Sequence, residues 1–220
     1  MFLSVDFHCH TSTSKDSLTS PEQLVRVSGR RRLDRLVVTD HNTIAGALAA
    51  HNLAPELVIV GEEILTTRGE ILASFVTEEI PFGLSPQETI ERLRLQGAFI
   101  SVSHPFDSWR SGAWKVEDLL EIAPLVDAIE IFNARCMASV SNQQASEFAR
   151  QHGIPGTAGS DAHASFELGA AVLVLPQFSS PEELRKVIRE GKVRGRLSPF
   201  WVHFASRVAR WRKMSESDRR

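Results

Sequence analysis

Only two cysteines, Cys9 and Cys136, occur among the 220 residues. That is too few for a disulfide framework, so a reducing cytoplasm is the expected compartment. No apolar run approaches the roughly 20 residues that a membrane helix needs, and no span is expected. The first residues run straight into a strand-like segment without the basic and apolar parts of a signal peptide, so none is expected. Neither sign of charge dominates: a formal net charge of -2 gives no overall pull toward nucleic acid or an anionic membrane. Low-complexity linkers and internal repeats are absent, which reads as one domain. Missing too are a G-x-S-x-G elbow and a P-loop, the signatures of two other routes to hydrolysis or phosphate binding.

What is present is a globular composition, 42% hydrophobic and 24% charged, in a chain long enough to bury a substantial core. Short apolar runs read as buried strands at Leu3–Phe7, Leu36–Thr39, Leu57–Val60, Ile71–Val76, Ala98–Val102, Ala128–Phe132 and Ala171–Leu175, with a shorter one near Thr157–Gly159. Helix starts of the form Ser-Pro-Glu/Gln stand at Ser20, Ser85 and Ser180, and a further helix is expected from Ser141 to His152, stopped by Gly153. Strands alternating with helices point to a parallel α/β arrangement.

The last stretch differs in pattern. Residues 1–195 read as the main domain and residues 196–220 as a basic amphipathic helix with a frayed end from Ser215. Phe200, Trp201, Phe204, Val208 and Trp211 form one stripe, with Arg207, Arg210, Arg212 and Lys213 mostly off it. The expectation is a helix packed by its stripe with a solvated basic face.

Near the start the chain reads V-D-F-H-C-H-T. Alternation along a strand puts Asp6, His8 and His10 on one face and Val5, Phe7 and Cys9 on the other. Two imidazoles side by side make a metal-binding edge. Other strand ends carry the same kind of residue: Asp40 and His41, Glu62 and Glu63, His104 and Asp107, Glu130 with Asn133 and Arg135, then Asp161 and His163. In a parallel barrel such ends converge on one face. Each motif alone has an ordinary reading as a cap, a turn or a surface pair. Their recurrence does not, because gathered carboxylates carry a like-charge and desolvation penalty that divalent cations remove. Donors of nitrogen and oxygen only suit Zn, Mn, Fe or Co. His51, His152 and His203 sit inside helical patterns and read as structural.

In order, D-F-H-C-H-T, T-D-H, G-E-E-I, S-H-P and G-S-D-A-H resemble the motifs of the PHP (polymerase and histidinol phosphatase) superfamily of metal-dependent phosphoesterases, from Asp6 to His163. The resemblance implies an α/β fold, a distorted (β/α)7 TIM-like barrel, as a single domain with the C-terminal amphipathic helix appended. It also implies two or three divalent metal ions, Zn, Mn or Fe. By position, His8, His10, Glu63 and Asp161 would hold one ion, Glu63 would bridge to a second with His104, and Asp16, His41 and His163 would hold a third. Asp40 of T-D-H would orient a neighbouring histidine. Glu63 rather than Glu62 fits the Gly-x-Glu pattern. Glu70 stands where many relatives have histidine, and Asn133 where some have a further ligand. The short span from Glu63 to His104 leaves no room for a cap domain, so an open site is expected.

The chemistry expected is hydrolysis of a phosphate ester, of a small monoester or a nucleotide, by a metal-bridged hydroxide. Arg135 is the leading candidate to meet charge on the non-bridging oxygens, ahead of Lys15, Arg68 and Arg110. Three alternatives stand beside it: a metallohydrolase of a non-phosphate bond, a non-catalytic domain, and a nuclease or exonuclease on oligonucleotides. The expected partner is a small phosphorylated substrate. The basic tail is the one feature that opens the way to nucleic acid, nothing else supports it, and the sequence sets no oligomeric state.

Overall fold

Three helices begin on the same signal. Ser20, Ser85 and Ser180 each accept, at 3.2 Å, the backbone N–H of the residue three positions on, Gln23, Glu88 and Glu183. A proline follows each serine, where its missing N–H costs nothing. They open α1 (Pro21–Arg31), α3 (Pro86–Leu95) and α6 (Pro181–Val187). The remaining helices are α2 (Ala45–Leu53), α4 (Val116–Ile122), α5 (Ser139–Gln151) and α7 (Val202–Ser217). The structure, a computed structural model, describes residues 1–110 and 112–217.

Every expected strand forms: β1 (Phe2–Cys9), β2 (Arg35–Val38), β3 (Val58–Leu65), β4 (Glu70–Ser74), β5 (Phe99–Val102), β6 (Ala128–Asn133), β7 (Gly156–Gly159) and β8 (Ala171–Pro176). A ninth, β9 (Lys192–Gly195), was not expected; it pairs antiparallel with β8, which itself runs antiparallel to β1. The strand order is β7-β6-β5-β4-β3-β2-β1-β8-β9.

The first seven strands wrap into a nearly closed barrel. β1 divides its pairing, giving Phe2–Val5 to β8 and its far end to the segment after β7. There His10 donates its N–H to Ala162 O at 2.9 Å, and Asp161 donates to His8 O at 2.6 Å. Gly159 allows this approach, since a Cβ there would collide with His8.

Two expectations need correction. The barrel is not wholly parallel: β4 runs antiparallel to both β3 and β5, as the return arm of a β3–β4 hairpin. Its first residue, Glu70, therefore lies at the end of the barrel where the other strands finish. β1 also departs from simple alternation. An extra residue between Asp6 and Cys9 shifts its register against β2, as a bulge does. Phe7 then packs with Val5, Val37, Ile59 and Phe99, while Cys9 packs in the separate cluster of Leu36, Val38 and Val60. Asp6 leaves the histidine face and accepts the N–H groups of Ser160 at 2.8 Å and Gly169 at 3.0 Å.

The interior changes character along the barrel axis. Val5, Val37, Ile59, Phe99 and Ala128 fill one end, with Phe178 and Leu184 from the α6 region packed against them. Next comes a Ser101–Thr157 hydroxyl pair at 3.0 Å. Beyond Ile59 on β3 and Ala128 on β6 come the buried carboxylates of Glu63 and Glu130. The apolar layer fixes the strands, and the strand ends carry the chemistry.

α7 reverses the expected orientation. The stripe of Phe200, Trp201, Phe204, Val208 and Trp211 is exposed, and Val202 and Ala209 are the buried positions. Two of the basic residues reach back to the barrel because they find partners there: Arg210 Nη2 lies 3.0 Å from Asp16 Oδ2, and Lys213 donates to the carbonyls of Ser12 and Ser14. The helix continues through Ser217 where fraying was expected from Ser215; residues 218–220 of that segment lie outside the described residues. No helix among the described residues is long and apolar enough to cross a membrane.

Candidate metal centre

His8, His10, Asp16, His41, Glu63, Glu70, His104, Asp161 and His163 all gather at one mouth of the barrel. His8 Nε2 lies 3.1 Å from His10 Nε2, 3.4 Å from Glu63 Oε2 and 3.5 Å from Asp161 Oδ1. His10 Nε2 lies 3.5 Å and 3.3 Å from the same two oxygens. A tetrahedral ion with bonds near 2.0 Å has donor–donor edges of about 3.3 Å, so these separations fit a shared cation.

Glu63 faces two ways. Its Oε1 accepts from Ser103 Oγ at 2.7 Å and lies 3.2 Å from His104 Nε2, while its Oε2 lies 2.9 Å from His41 Nδ1. Beyond His41 a second group forms, with Asp16 Oδ1 at 3.6 Å from His41 Nε2 and 3.4 Å from His163 Nε2. Glu70 Oε2 stands 3.5 Å from His104 Nε2. The triads His10–His41–His163, His8–His10–Glu63 and His41–Glu63–Glu70 each bring donor atoms within 4.8 Å of one another.

Three carboxylate oxygens in this space, Asp16 Oδ1, Glu63 Oε2 and Asp161 Oδ1, are buried without a hydrogen-bond partner among the described residues. Such oxygens are costly unless something else meets their charge. The donor set therefore fits divalent cations.

The ring orientations are fixed from behind. His8 Nδ1 lies 3.0 Å from Glu130 Oε1, which can only accept, so the proton sits on Nδ1 and Nε2 faces the cluster. Ser14 Oγ donates to Asp40 at 2.6 Å and therefore accepts from His10 Nδ1 at 3.2 Å. His163 Nδ1 donates to the backbone oxygen of Asp161 at 2.8 Å. Asp40 stands outside the cluster, with both oxygens accepting from Thr11 and Ser14. His104 and Asp161 hold φ values of 21° and 53°, left-handed conformations that non-glycine residues keep where the surroundings enforce them.

The electrostatics reflect crowding. Burial opposes charge on His8, but Asp161, Glu63 and Glu130 outweigh it and hold the imidazole well above the usual range. Burial, with His163 and His41 nearby, pushes His10 down to about 3. Burial opposes ionisation of Asp161 and Glu63 as well. Arg110 and His8 overcome it for Asp161, and His8 and His41 for Glu63, leaving both well below the carboxylate range. Glu70 is raised by burial and by Glu63.

Arg135 requires correction as the candidate cation. It is buried, its Nε stands 3.2 Å from Glu167 Oε2, and its Nη2 donates to Val202 O and Ser206 Oγ at 3.1 and 2.8 Å. The guanidinium ties α7 to the barrel. Arg110, ranked lower from sequence, reaches the cluster: Nη2 pairs with Asp161 Oδ2 and Nε with Asp107 Oδ2 at 3.1 Å. Arg68 lies on the surface with Asp118 and Glu121. Asn133 is also committed, its Nδ2 donating to Glu130 and Asp161 at 3.1 Å and its Oδ1 accepting from Arg135 N.

Sequence reading named Glu130 at its strand end but gave it no role, and it passed over Ser14 and Ser103. For Glu130 the signal was there: an acid in the middle of an apolar strand must face something that repays its burial.

Above the cluster lies a cavity of about 810 Å³, in the range of small-molecule sites. The cluster edge, the Thr13–Asp16 loop, Trp109 and Arg110 line it, and α7 forms one wall through Phe204, Arg207 and Arg210. The open site expected from the missing cap domain is thus partly walled by the tail.

The PHP-associated family model matches residues 140–193, from α5 into β9. The uncharacterized protein MJ0417 of Methanocaldococcus jannaschii is 34% identical over 189 residues, covering 83% of this chain and 75% of that protein. A two-domain Bacteroides vulgatus protein containing a predicted PHP-like metal-dependent phosphoesterase superposes with a TM-score of 0.68 at 20% identity, over 89% of this chain and 65% of that one. This chain belongs to the PHP superfamily. A lesion-specific endonuclease from Pyrococcus furiosus is also a structural neighbour, with a TM-score of 0.60 at 17% identity over 88% of this chain and 58% of that one. The PHP chain thus spans less than two thirds of the length of either of these solved neighbours.

Proposed function

We propose that this PHP protein is a metal-dependent phosphoesterase that hydrolyses a small phosphate ester with two or three divalent ions, Zn, Mn or Fe. The observation that carries the reading is the spacing of His8, His10, Glu63 and Asp161, whose donor separations of 3.1–3.5 Å match the edges of a cation's coordination shell. Those four residues would hold one ion. Glu63 would share a second with His104, with Glu70 at its edge, and Asp16, His41 and His163 would hold a third.

Divalent ions in such a cage supply Lewis acidity toward the phosphoryl group and an acidified water. The protein supplies the rest. Glu130 and Ser14 keep protons on the Nδ1 atoms of His8 and His10. Arg110 brings a guanidinium to the cluster floor, where charge on phosphoryl oxygens needs an opposing cation. The cavity wall formed by α7 favours a small ester over a long polymer.

The test is metal content of the purified protein together with phosphate release from nucleotides, sugar phosphates and an aryl phosphate. Bound metal with turnover that disappears in His8→Ala supports the proposal. Metal without phosphate release redirects it to another bond, and a protein that takes up no metal ends it.

A further inference from the structure

Lys15, Arg110, Arg135, Arg207 and Arg210 all line the cavity. Three of them already face an acid: Arg110 faces Asp107 and Asp161, Arg135 faces Glu167, and Arg210 faces Asp16. Among the described residues, Lys15 and Arg207 have neither an acid nor a hydrogen-bond partner. The two come from distant segments, yet the Arg210–Asp16 ion pair brings them together. Lys15 directly precedes Asp16, and Arg207 sits one helical turn before Arg210, on the same face of α7. Because Arg210 and Asp16 neutralise each other, the charges of Lys15 and Arg207 are left over.

Unpaired cations on an open surface are ordinary. Two in a concave site are different, because a cleft focuses their field on whatever enters. They are also at the wrong depth for the reacting phosphate. Arg110 already stands at the cluster floor against buried Asp161, whereas Lys15 and Arg207 are exposed at the mouth.

We infer that Lys15 and Arg207 form an anion subsite for a second negative group of the substrate. The preferred substrates are then phosphate esters carrying a phosphate or carboxylate at the end away from the scissile bond. The inference rests on the phosphoesterase reading above and narrows its substrate class.

The test compares n-alkyl phosphates with alkanediol bisphosphates and ω-carboxyalkyl phosphates of increasing spacer length. At one spacer length kcat/KM should exceed that of the alkyl phosphate by roughly tenfold or more, as a charge-assisted contact provides. The bisphosphate and carboxylate series distinguish the two sources of the second charge. In the Lys15→Ala/Arg207→Ala double variant the preference should vanish; Lys186→Ala, on the exposed face of α6, should keep it. The inference is overturned if no spacer is preferred, if the double variant lowers alkyl phosphate and bisphosphate turnover equally, or if oligonucleotides outcompete every member. Calorimetric binding of the bisphosphates separates this failure from that of the broader reading. If nothing is hydrolysed but a bisphosphate binds wild type roughly tenfold tighter than the double variant, the subsite stands and the phosphoesterase reading falls.

Discussion

Glu130 Oε1 holds His8 Nδ1 at 3.0 Å, and the other oxygen of the same carboxylate accepts the backbone N–H of His104 at 2.8 Å. One side chain from β6 thus orients a histidine on β1 and fixes the turn that presents another. Replacing it by glutamine keeps the volume but lets the amide donate, which removes the preference for a proton on His8 Nδ1. Glu130→Gln should therefore lower divalent-metal affinity about 10–100-fold while the fold survives. Chelator competition on the purified variant measures this, and an unchanged affinity would show that His8 is positioned by other contacts.

Glu62, next to Glu63 but on the opposite face of β3, should shape stability against pH. Burial pushes its carboxyl up to about 8, with one oxygen accepting from Ile80 N at 3.0 Å and the other without a partner. A folded pKa above the unfolded value of 4.5 means the native state binds more protons in between. Stability from this group is thus complete below about pH 4.5 and declines as pH rises toward about 8. Glu62→Gln stays neutral and can still accept from Ile80. The melting temperature of the variant relative to wild type should be unchanged near pH 4.5 and higher at pH 8, by about 2–4 °C per kcal/mol. A difference that is flat across that range would refute the assignment.

The cluster was legible because its residues sit at strand ends, and the end of a strand is set by the apolar run before it. His8, His41, Glu63 and His104 each follow such a run within three residues. The reversal of β4 was not legible, since a five-residue apolar strand reads the same in either direction. Only its pairing shows that Glu70 begins the strand at the cluster end. The arginines were misranked for a related reason: Arg135 and Arg110 both follow strands, and the partners that commit one to α7 and bring the other to Asp161 lie 32 or more residues away. On α7, the apolar stripe predicted the buried face, but Asp16 and two loop carbonyls drew Arg210 and Lys213 toward the barrel and left the stripe exposed.

Gly46 and Gly29 both stand in helices, and alanine should act on them in opposite directions. A Cβ on Gly46 would run into Thr11 Oγ1 and Asp40 Oδ2, with Thr13 Oγ1 at 2.6 Å. Thr11 and Asp40 are hydrogen-bonded to each other and cannot swing aside. Gly46→Ala should cost about 1–3 kcal/mol and disturb the Asp40–Ser14–His10 relay. Gly29, in α1, has nothing within 4 Å of an added Cβ, so Gly29→Ala should gain roughly 0.8–1 kcal/mol of helix propensity. Urea unfolding of both variants decides the matter, and matching signs would contradict the packing described.

The attachment of α7 can be tested at Arg135. Its guanidinium spans from Glu167 on the barrel to Val202 O and Ser206 Oγ at the start of the helix. Truncation to alanine removes both contacts and leaves buried Glu167, already raised to about 7 by burial despite Arg135, without its cation. Glu167 can then take a proton and stay buried, so the barrel should persist while α7 loosens. Arg135→Lys lacks the planar fork and should not restore the tie. Trypsin reports the difference directly, because Arg207, Arg210 and Arg212 offer cleavage sites within α7. Local opening governs such cleavage, and the loss of two hydrogen bonds at about 1 kcal/mol each predicts cuts in α7 faster by roughly tenfold or more. Cleavage at an unchanged rate would mean that Arg210 and Lys213, at the other end of the helix, hold α7 without help.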